Sequence, residues 1–215
     1  MPYFSEFIYP VLEFLGVFAF AVSGAMCAVR RKLDLFGVLF LGVTTALGGG
    51  VIRDLMLGIV PPSMFQSYGY LLTSVAASLL IFAAALFFHG FYVKYTDTIE
   101  RITNVFDAVG LGLFSVIGTR TAMLHGFSDN SFFCMFLGMT TGSVGGLLRD
   151  IMTGTVPAIL YKRVYAVASL FGAGLYFFLV KNGLDETYCL IFASVCVFVI
   201  RMLATKYKWN IPHAP

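Results

Sequence analysis

The 215-residue chain is 59% hydrophobic and 12% charged, with a formal net charge of +3 and a mean hydropathy of +0.89. Soluble domains carry about 25% charged residues, so this composition excludes a water-soluble enzyme or binding domain and places the chain in a membrane. The small positive charge sits at the flanks of apolar stretches, where it marks topology, and excludes a nucleic-acid-binding surface.

A spanning helix needs about 20 apolar residues to cross about 30 Å of hydrocarbon, with every backbone polar group satisfied inside the span. Seven stretches meet that requirement: 8–29, 35–58, 70–90, 104–124, 131–154, 163–181 and 187–205. The first carries Glu6 and no basic residue before Pro10, so it reads as a retained span rather than a secretory signal. Arg30, Arg31 and Lys32 follow it; Lys94 and Arg101 lie between the third and fourth; Lys162 and Arg163 stand at the start of the sixth; Lys206 and Lys208 follow the seventh. The opposite side has Lys181, with Arg120 near the end of the fourth span. Basic residues are held on the cytoplasmic side of short loops, which predicts an integral plasma (inner) membrane protein with its N-terminus outside and its C-terminus in the cytoplasm. The tail around Lys206, Lys208 and Trp209 reads as an interfacial anchor in contact with membrane lipid.

The second and fifth stretches share a duplication. Residues 40–61, FLGVTTALGGGVIRDLMLGIVP, return at 136–157 as FLGMTTGSVGGLLRDIMTGTVP, identical at 13 of 22 positions. The likeness extends upstream, where Glu13, Gly16, Phe20, Val22 and Gly24 match Asp107, Gly110, Phe114, Val116 and Gly118 at a spacing of 94 that becomes 96 after the first loop. Each copy holds three spans, and an odd number forces the second to enter the membrane from the other side. The predicted fold is thus an all-α membrane protein of seven transmembrane helices: an inverted repeat of two three-helix units, 1–93 and 94–182, plus a seventh helix with a cytoplasmic tail, 183–215. Inverted pairs with glycine-interrupted helices are a known way to build a pathway with a site near the bilayer midplane.

Gly48, Gly49 and Gly50 are expected to bend or break the second span, since glycine costs about 1 kcal/mol relative to alanine in a helix interior. A break frees carbonyls from Thr44 and Thr45 to Leu47, which survive in lipid only against protein or water and are there able to coordinate an alkali cation. The second copy offers Gly142, Gly145 and Gly146 with the hydroxyls of Thr140, Thr141 and Ser143. Glycines also permit close helix packing, and Gly138, Gly142 and Gly146 fit the small-xxx-small spacing; the two roles are compatible.

Each glycine cluster is followed by an Arg-Asp pair, Arg53 with Asp54 and Arg149 with Asp150. Ionisable groups inside a span cost at least about 2.5–3.5 kcal/mol at the helix centre, so they face the bundle and have partners. Adjacent residues on a helix diverge by about 100°, which predicts partners elsewhere: Arg53 reaching Asp107 or Asp150, and Arg149 reaching Glu13 or Asp54. Purely structural bridges locking the two halves together are the alternative. Ser23 and Thr119, beside Gly24 and Gly118, are secondary candidates whose hydroxyls more commonly bond their own backbone.

The doubled pattern LGxTTxxGGGxxRDxxxGxxP and GxTTGxxGGxxRDxxxGxxP, in a seven-span chain, resembles the prokaryotic trimeric intracellular cation channels over almost its whole length. The resemblance implies a homotrimer in which each protomer carries a cation pathway lined by kinked second and fifth spans. Potassium would be the main permeant ion, sodium a possible one, with no other cofactor. The pore positions it implies are Gly48, Gly49, Gly50, Arg53, Asp54, Gly145, Gly146, Arg149 and Asp150; Val144 departs from the pattern by replacing the first glycine of the second triplet. The same group is also described as glycine-transporter-like, so a secondary transporter of glycine or another small zwitterion is the alternative, and a pure scaffold a third.

Other chemistry has little support. Cys27, Cys134, Cys189 and Cys196 show no metal-ligand spacing and read as free buried thiols. His89, His125 and His213 fall in loops or the tail, and no phosphate-binding loop or nucleophile-base arrangement is evident. The 23 phenylalanines read as bulk, with 35–40 and 132–136 as packing or lipid-facing surface.

Overall fold

The computed structural model describes residues 2–88, 96–161 and 164–209; Lys94, Lys162, Arg163, His89 and His213 lie outside the described residues. The chain runs through α1 (Pro2–Arg30), α2 (Leu35–Met56), a short α3 (Ser63–Gln66), α4 (Tyr68–Phe87), α5 (Thr96–Ala122) with a π-helical turn at Met123–Phe127, α6 (Ser131–Met152), a short α7 (Ala158–Tyr161), α8 (Ala166–Lys181) and α9 (Glu186–Lys206). The described residues contain no strand. Among the described residues six helices are long and apolar enough to cross a membrane, and Ala166–Lys181 is a shorter apolar helix.

Local sequence explains where the two repeated helices begin and end. Asp34 accepts a hydrogen bond from the Gly37 amide (2.8 Å) at the start of α2, and Asn130 accepts one from Phe133 (3.0 Å) at the start of α6, each satisfying a donor that has no partner within the helix. Both helices stop two residues short of the ends predicted at 58 and 154. Gly58 (φ +73) and Gly154 (φ +64) adopt left-handed backbone, open to glycine at no steric cost. The chain then folds back so that Ile59 donates to the Asp54 carbonyl (2.8 Å) and Thr155 to the Asp150 carbonyl (2.9 Å).

The core is a four-helix unit in which α1 packs on α2 and α5, α5 packs on α6, and α2 crosses α6. Outside it, α4 leans on α1 and α2, α8 on α5 and α6, and α9 on α5 and α8. Arg120 of α5 ties the start of α9 through Glu186 (2.7 Å). Phe36 and Phe132 point outward, fully in keeping with lipid-facing bulk.

The expected interruption at the glycine clusters is absent: α2 is continuous from Leu35 to Met56 and α6 from Ser131 to Met152. The carbonyls of Thr44 to Leu47 therefore stay inside a helical ladder. The glycines instead let two backbones touch. A Cβ on Gly49 would run into the Thr141 carbonyl oxygen, and one on Gly145 would run into the Thr45 carbonyl oxygen, equivalent positions of the duplication meeting reciprocally. Gly24 and Gly118 extend the arrangement, since a Cβ there would lie 2.6 Å from the Thr45 hydroxyl and 2.5 Å from the Thr141 hydroxyl. Close approach through small residues is the main source of helix association in lipid, where apolar burial gives no drive. The energy of an intact ladder plus this contact outweighs a break, whose freed groups would each cost several kcal/mol.

Substituting these glycines separates packing from helix propensity. Gly49→Ala and Gly145→Ala are expected to destabilise the folded protein by about 1–3 kcal/mol through overpacking. Gly50→Ala, whose Cβ would meet nothing nearer than the Arg53 guanidinium at 4.0 Å, is expected to be neutral or stabilising by up to about 1 kcal/mol. Thermal unfolding in detergent checks both, and equal losses at all three positions would contradict the packing account.

Candidate functional site: two charged cavities flanking a helix crossing

A cavity of about 440 Å³ opens at the end of the bundle where α1 begins and α2 ends. Glu13 and Val17 of α1, Gly50, Arg53 and Asp54 of α2, and Phe114 of α5 are among the residues that line it. Arg53 Nε donates to Asp54 Oδ1 (2.8 Å), and the remaining carboxylate oxygen, Oδ2, accepts the Ser63 amide of α3 (2.8 Å). The Tyr70 hydroxyl, at the start of α4, donates to Glu13. Arg53 and Asp54 border this cavity yet are buried, 9% and 1% exposed.

Arg149, the equivalent of Arg53, is enclosed instead. Its Nη1 donates to Asp107 Oδ1 (2.6 Å) and to the Ser23 hydroxyl (2.7 Å), and its Nε and Nη2 donate to Asp150 Oδ1 (2.9 and 2.8 Å). Asp150 Oδ2 accepts the Ala158 amide (2.7 Å), as Asp54 accepts that of Ser63. Tyr165 donates to Asp107 (3.4 Å). Asp150 also borders a second cavity of about 310 Å³ at the other end of α1, shared with Cys27, Arg30, Arg31, Thr153 and Thr155.

Two expectations about these charges are corrected. Neighbouring arginine and aspartate do satisfy each other in both copies; the side chains leave the helix at divergent angles, but the long guanidinium stem folds back across that angle. The predicted cross-pairs do not form. Arg53 meets neither Asp107 nor Asp150, and Arg149 meets Asp107 of its own repeat rather than Glu13 or Asp54. Among the described residues, the Ser23 hydroxyl is the group of the other repeat that Arg149 hydrogen-bonds. At the spacing of 94 the counterpart of Ser23 is Ile117, which has no hydroxyl, and that of Asp107 is Glu13, which accepts from Tyr70; Arg53 pairs with Asp54.

The structure thus brings Glu13, Gly50, Arg53 and Asp54 to one cavity and Asp150 to the other, and gathers Ser23, Asp107 and Arg149 in a buried knot between them. Gly48 and Thr44 lie elsewhere on α2, half-buried, while Gly49 and Gly145 form the crossing and Gly146 backs onto the Tyr165 hydroxyl (2.6 Å from an added Cβ). The hydroxyls of Thr45, Thr140, Thr141, Ser143 and Thr119 each donate to a carbonyl one turn back, at 2.6–2.9 Å. Tyr70 and Tyr165 went unnoticed in the sequence. Their matching places at the starts of the third and sixth spans were the available signal. All four cysteines are free, but Cys27 and Cys196 are only half-buried, Cys27 because it borders the second cavity.

The unequal environments of the two arginines are measurable. Arg149→Gln leaves two buried carboxylates without a cation and is expected to cost about 3–5 kcal/mol. Arg53→Gln leaves Asp54 beside a cavity and still bonded to an amide, and is expected to cost about 1–3 kcal/mol. Thermal midpoints in detergent that fall equally for both variants would contradict this ordering.

Comparison with known proteins agrees with the geometry. A family profile described as glycine transporter matches residues 10–85 and 104–181, one segment in each copy of the duplication. A UPF0126 membrane protein of Deinococcus radiodurans is 40% identical over 165 residues, covering 76% of this chain and 72% of the relative. A prokaryotic TRIC channel crystallised in 0.5 M KCl superposes with a TM-score of 0.86 at 32% identity, covering 96% of this chain and all of the other. The trimeric intracellular cation channel orthologue of Rhodobacter sphaeroides gives 0.84 at 30% identity, over 94% and 99%. These relatives are channels and membrane proteins rather than enzymes. An apolar helical chain with a doubled glycine crossing, a paired arginine and aspartate in each copy and these likenesses belongs to the family of the prokaryotic TRIC channels.

Proposed function

We propose that the chain is a cation channel with potassium as its main permeant ion, sodium a possible second, and one pathway in each protomer of a homotrimer. The observation that carries this reading is the placement of two cavities at opposite ends of α1, each bordered by the aspartate of an Arg-Asp pair. Membership of a family with cation-channel members supports it. Carboxylates at both mouths attract cations and disfavour anions; the neighbouring guanidinium tempers that field, since a positive group near a cation route raises its barrier.

The pathway runs from the Glu13 and Asp54 cavity past the α2–α6 crossing to the Asp150 cavity. Continuous helices and hydroxyls turned onto their own backbones support reading this conformation as closed. Conduction requires α2 and α6 to part or bend at their glycines and offer carbonyls to the ion. Seven crossings fit this reading: α8 extends about 24 Å at 1.5 Å per residue, and flanking residues complete its crossing. The two three-helix units, 1–93 and 94–182, are inverted and meet at Gly49 and Gly145, and 183–215 forms the seventh helix and its tail. Arg30 and Arg31 at the second cavity and Lys206 in the last turn of α9 support a cytoplasmic position for that end and an outside N-terminus. A glycine carrier is less well served, because no half-helix amino end faces either cavity from α2 or α6.

Reconstitution of the purified protein in a planar bilayer under a KCl gradient tests the reading. Step currents reversing near the potassium potential are the expected result. Saturable uptake of labelled glycine into parallel vesicles, without such currents, would replace the channel with a carrier.

A further inference from the structure

We propose that the stacked pair Phe20–Phe114 is the hydrophobic constriction that separates the two cavities, and that Phe114 is the ring that moves to open it. The proposal rests on the channel reading above.

One face of α1 supplies the route. Glu13 and Val17 line the first cavity and Cys27 borders the second. Phe20 and Ser23 stand between them at helical spacing. The interval from Val17 to Cys27 is about 15 Å at 1.5 Å per residue, and two layers fill it. The layer nearer the second cavity is the polar knot in which Arg149 bridges Ser23 and Asp107. The other is apolar: the rings of Phe20 and Phe114 stack with centroids 5.6 Å apart and planes 23° from parallel.

Duplication explains the seating of the pair. Phe20 and Phe114 are equivalent positions, and each lies on the glycine of the opposite helix: a Cβ on Gly110 would meet the Phe20 ring at 2.5 Å, and one on Gly16 the Phe114 ring at 3.1 Å. Phe20 also reaches the α2–α6 crossing, 3.8 Å from where a Cβ on Gly145 would stand. The rings therefore close the space that the glycines of α1 and α5 leave open, beside the contact through which α2 and α6 must part. They offer no oxygen in place of hydration water, so the layer stays dry and blocks an ion.

The two rings are not equally free. Phe20 is 1% exposed and enclosed on every side, whereas Phe114 is 8% exposed and borders the 440 Å³ cavity. Rotation of Phe114 into that cavity removes one wall of the apolar layer without disturbing Phe20 or the Arg149 knot.

Single-channel recording in planar bilayers with KCl tests this. Phe114→Ala and the bulkier, wettable Phe114→Gln are expected to raise mean current at fixed voltage on the order of tenfold, and Phe114→Leu, the variant safest for folding, about two- to threefold. Phe177→Ala, which removes a buried ring from the packing between α6 and α8, is expected to lower the thermal midpoint and leave the current unchanged. If the wild type conducts and the folded Phe114 variants stay within about twofold of it, the constriction is overturned while the channel stands. If Phe177→Ala raises the current as much as Phe114→Ala, loosened packing explains the gain and the constriction is again overturned. If the wild type carries no current, the channel reading fails first.

Discussion

Two backbones in direct contact organise this molecule. At Gly49 and Gly145 the helices α2 and α6 approach until each carbonyl, of Thr141 and Thr45, fills the place a side chain would take. In lipid no solvent drives helices together, so packing and buried polar contacts must hold a bundle. A reciprocal glycine contact is effective because both helices gain close packing over the same few residues and neither has a side chain to order. The positions of α1 and α5 follow, since Gly24 and Gly118 accept the side chains of the same two threonines.

Around that crossing the two copies of the duplication have diverged in charge. In both, the aspartate links the arginine before it to the amide of the short helix after it, which turns the end of α2 or α6 into the following loop. In the second copy Asp107 and Ser23 complete the coordination of Arg149, and Tyr165 backs the carboxylate. In the first, Ile117 stands where a hydroxyl would be needed and Glu13 is taken by Tyr70. One arginine therefore locks helices together, and its twin borders the 440 Å³ cavity. A sequence duplication makes two such sites equivalent at the outset; single substitutions at contacting positions let one become structural and leave the other accessible.

Much of the architecture was legible in the sequence because lipid imposes strict rules. Helix length follows from hydrocarbon thickness, so the long helices were recoverable, although α1 begins six residues and α5 eight residues before the predicted starts at 8 and 104. Their ends were missed by two residues where Gly58 and Gly154 turn the chain, a detail set by local backbone angles rather than by hydropathy. The Arg-Asp pairs stood out as candidates too, because charge in an apolar run is costly. Their partners were not, since a guanidinium spans several ångströms on a flexible stem and its reach depends on side-chain angles that spacing alone does not specify.

By itself the sequence determined the membrane environment, the helical class, the duplication and the candidate residues of the site, because composition, hydrophobic length and repeated motifs act locally along the chain. Only the tertiary structure decided whether Gly48 to Gly50 break a helix or join two, which carboxylates Arg149 takes, and that Phe20 and Phe114 stack between two cavities. Those outcomes hang on competition between alternatives of similar local cost, such as a freed ladder against a close contact. Such competition is settled by which atoms stand within a few ångströms after the helices have packed.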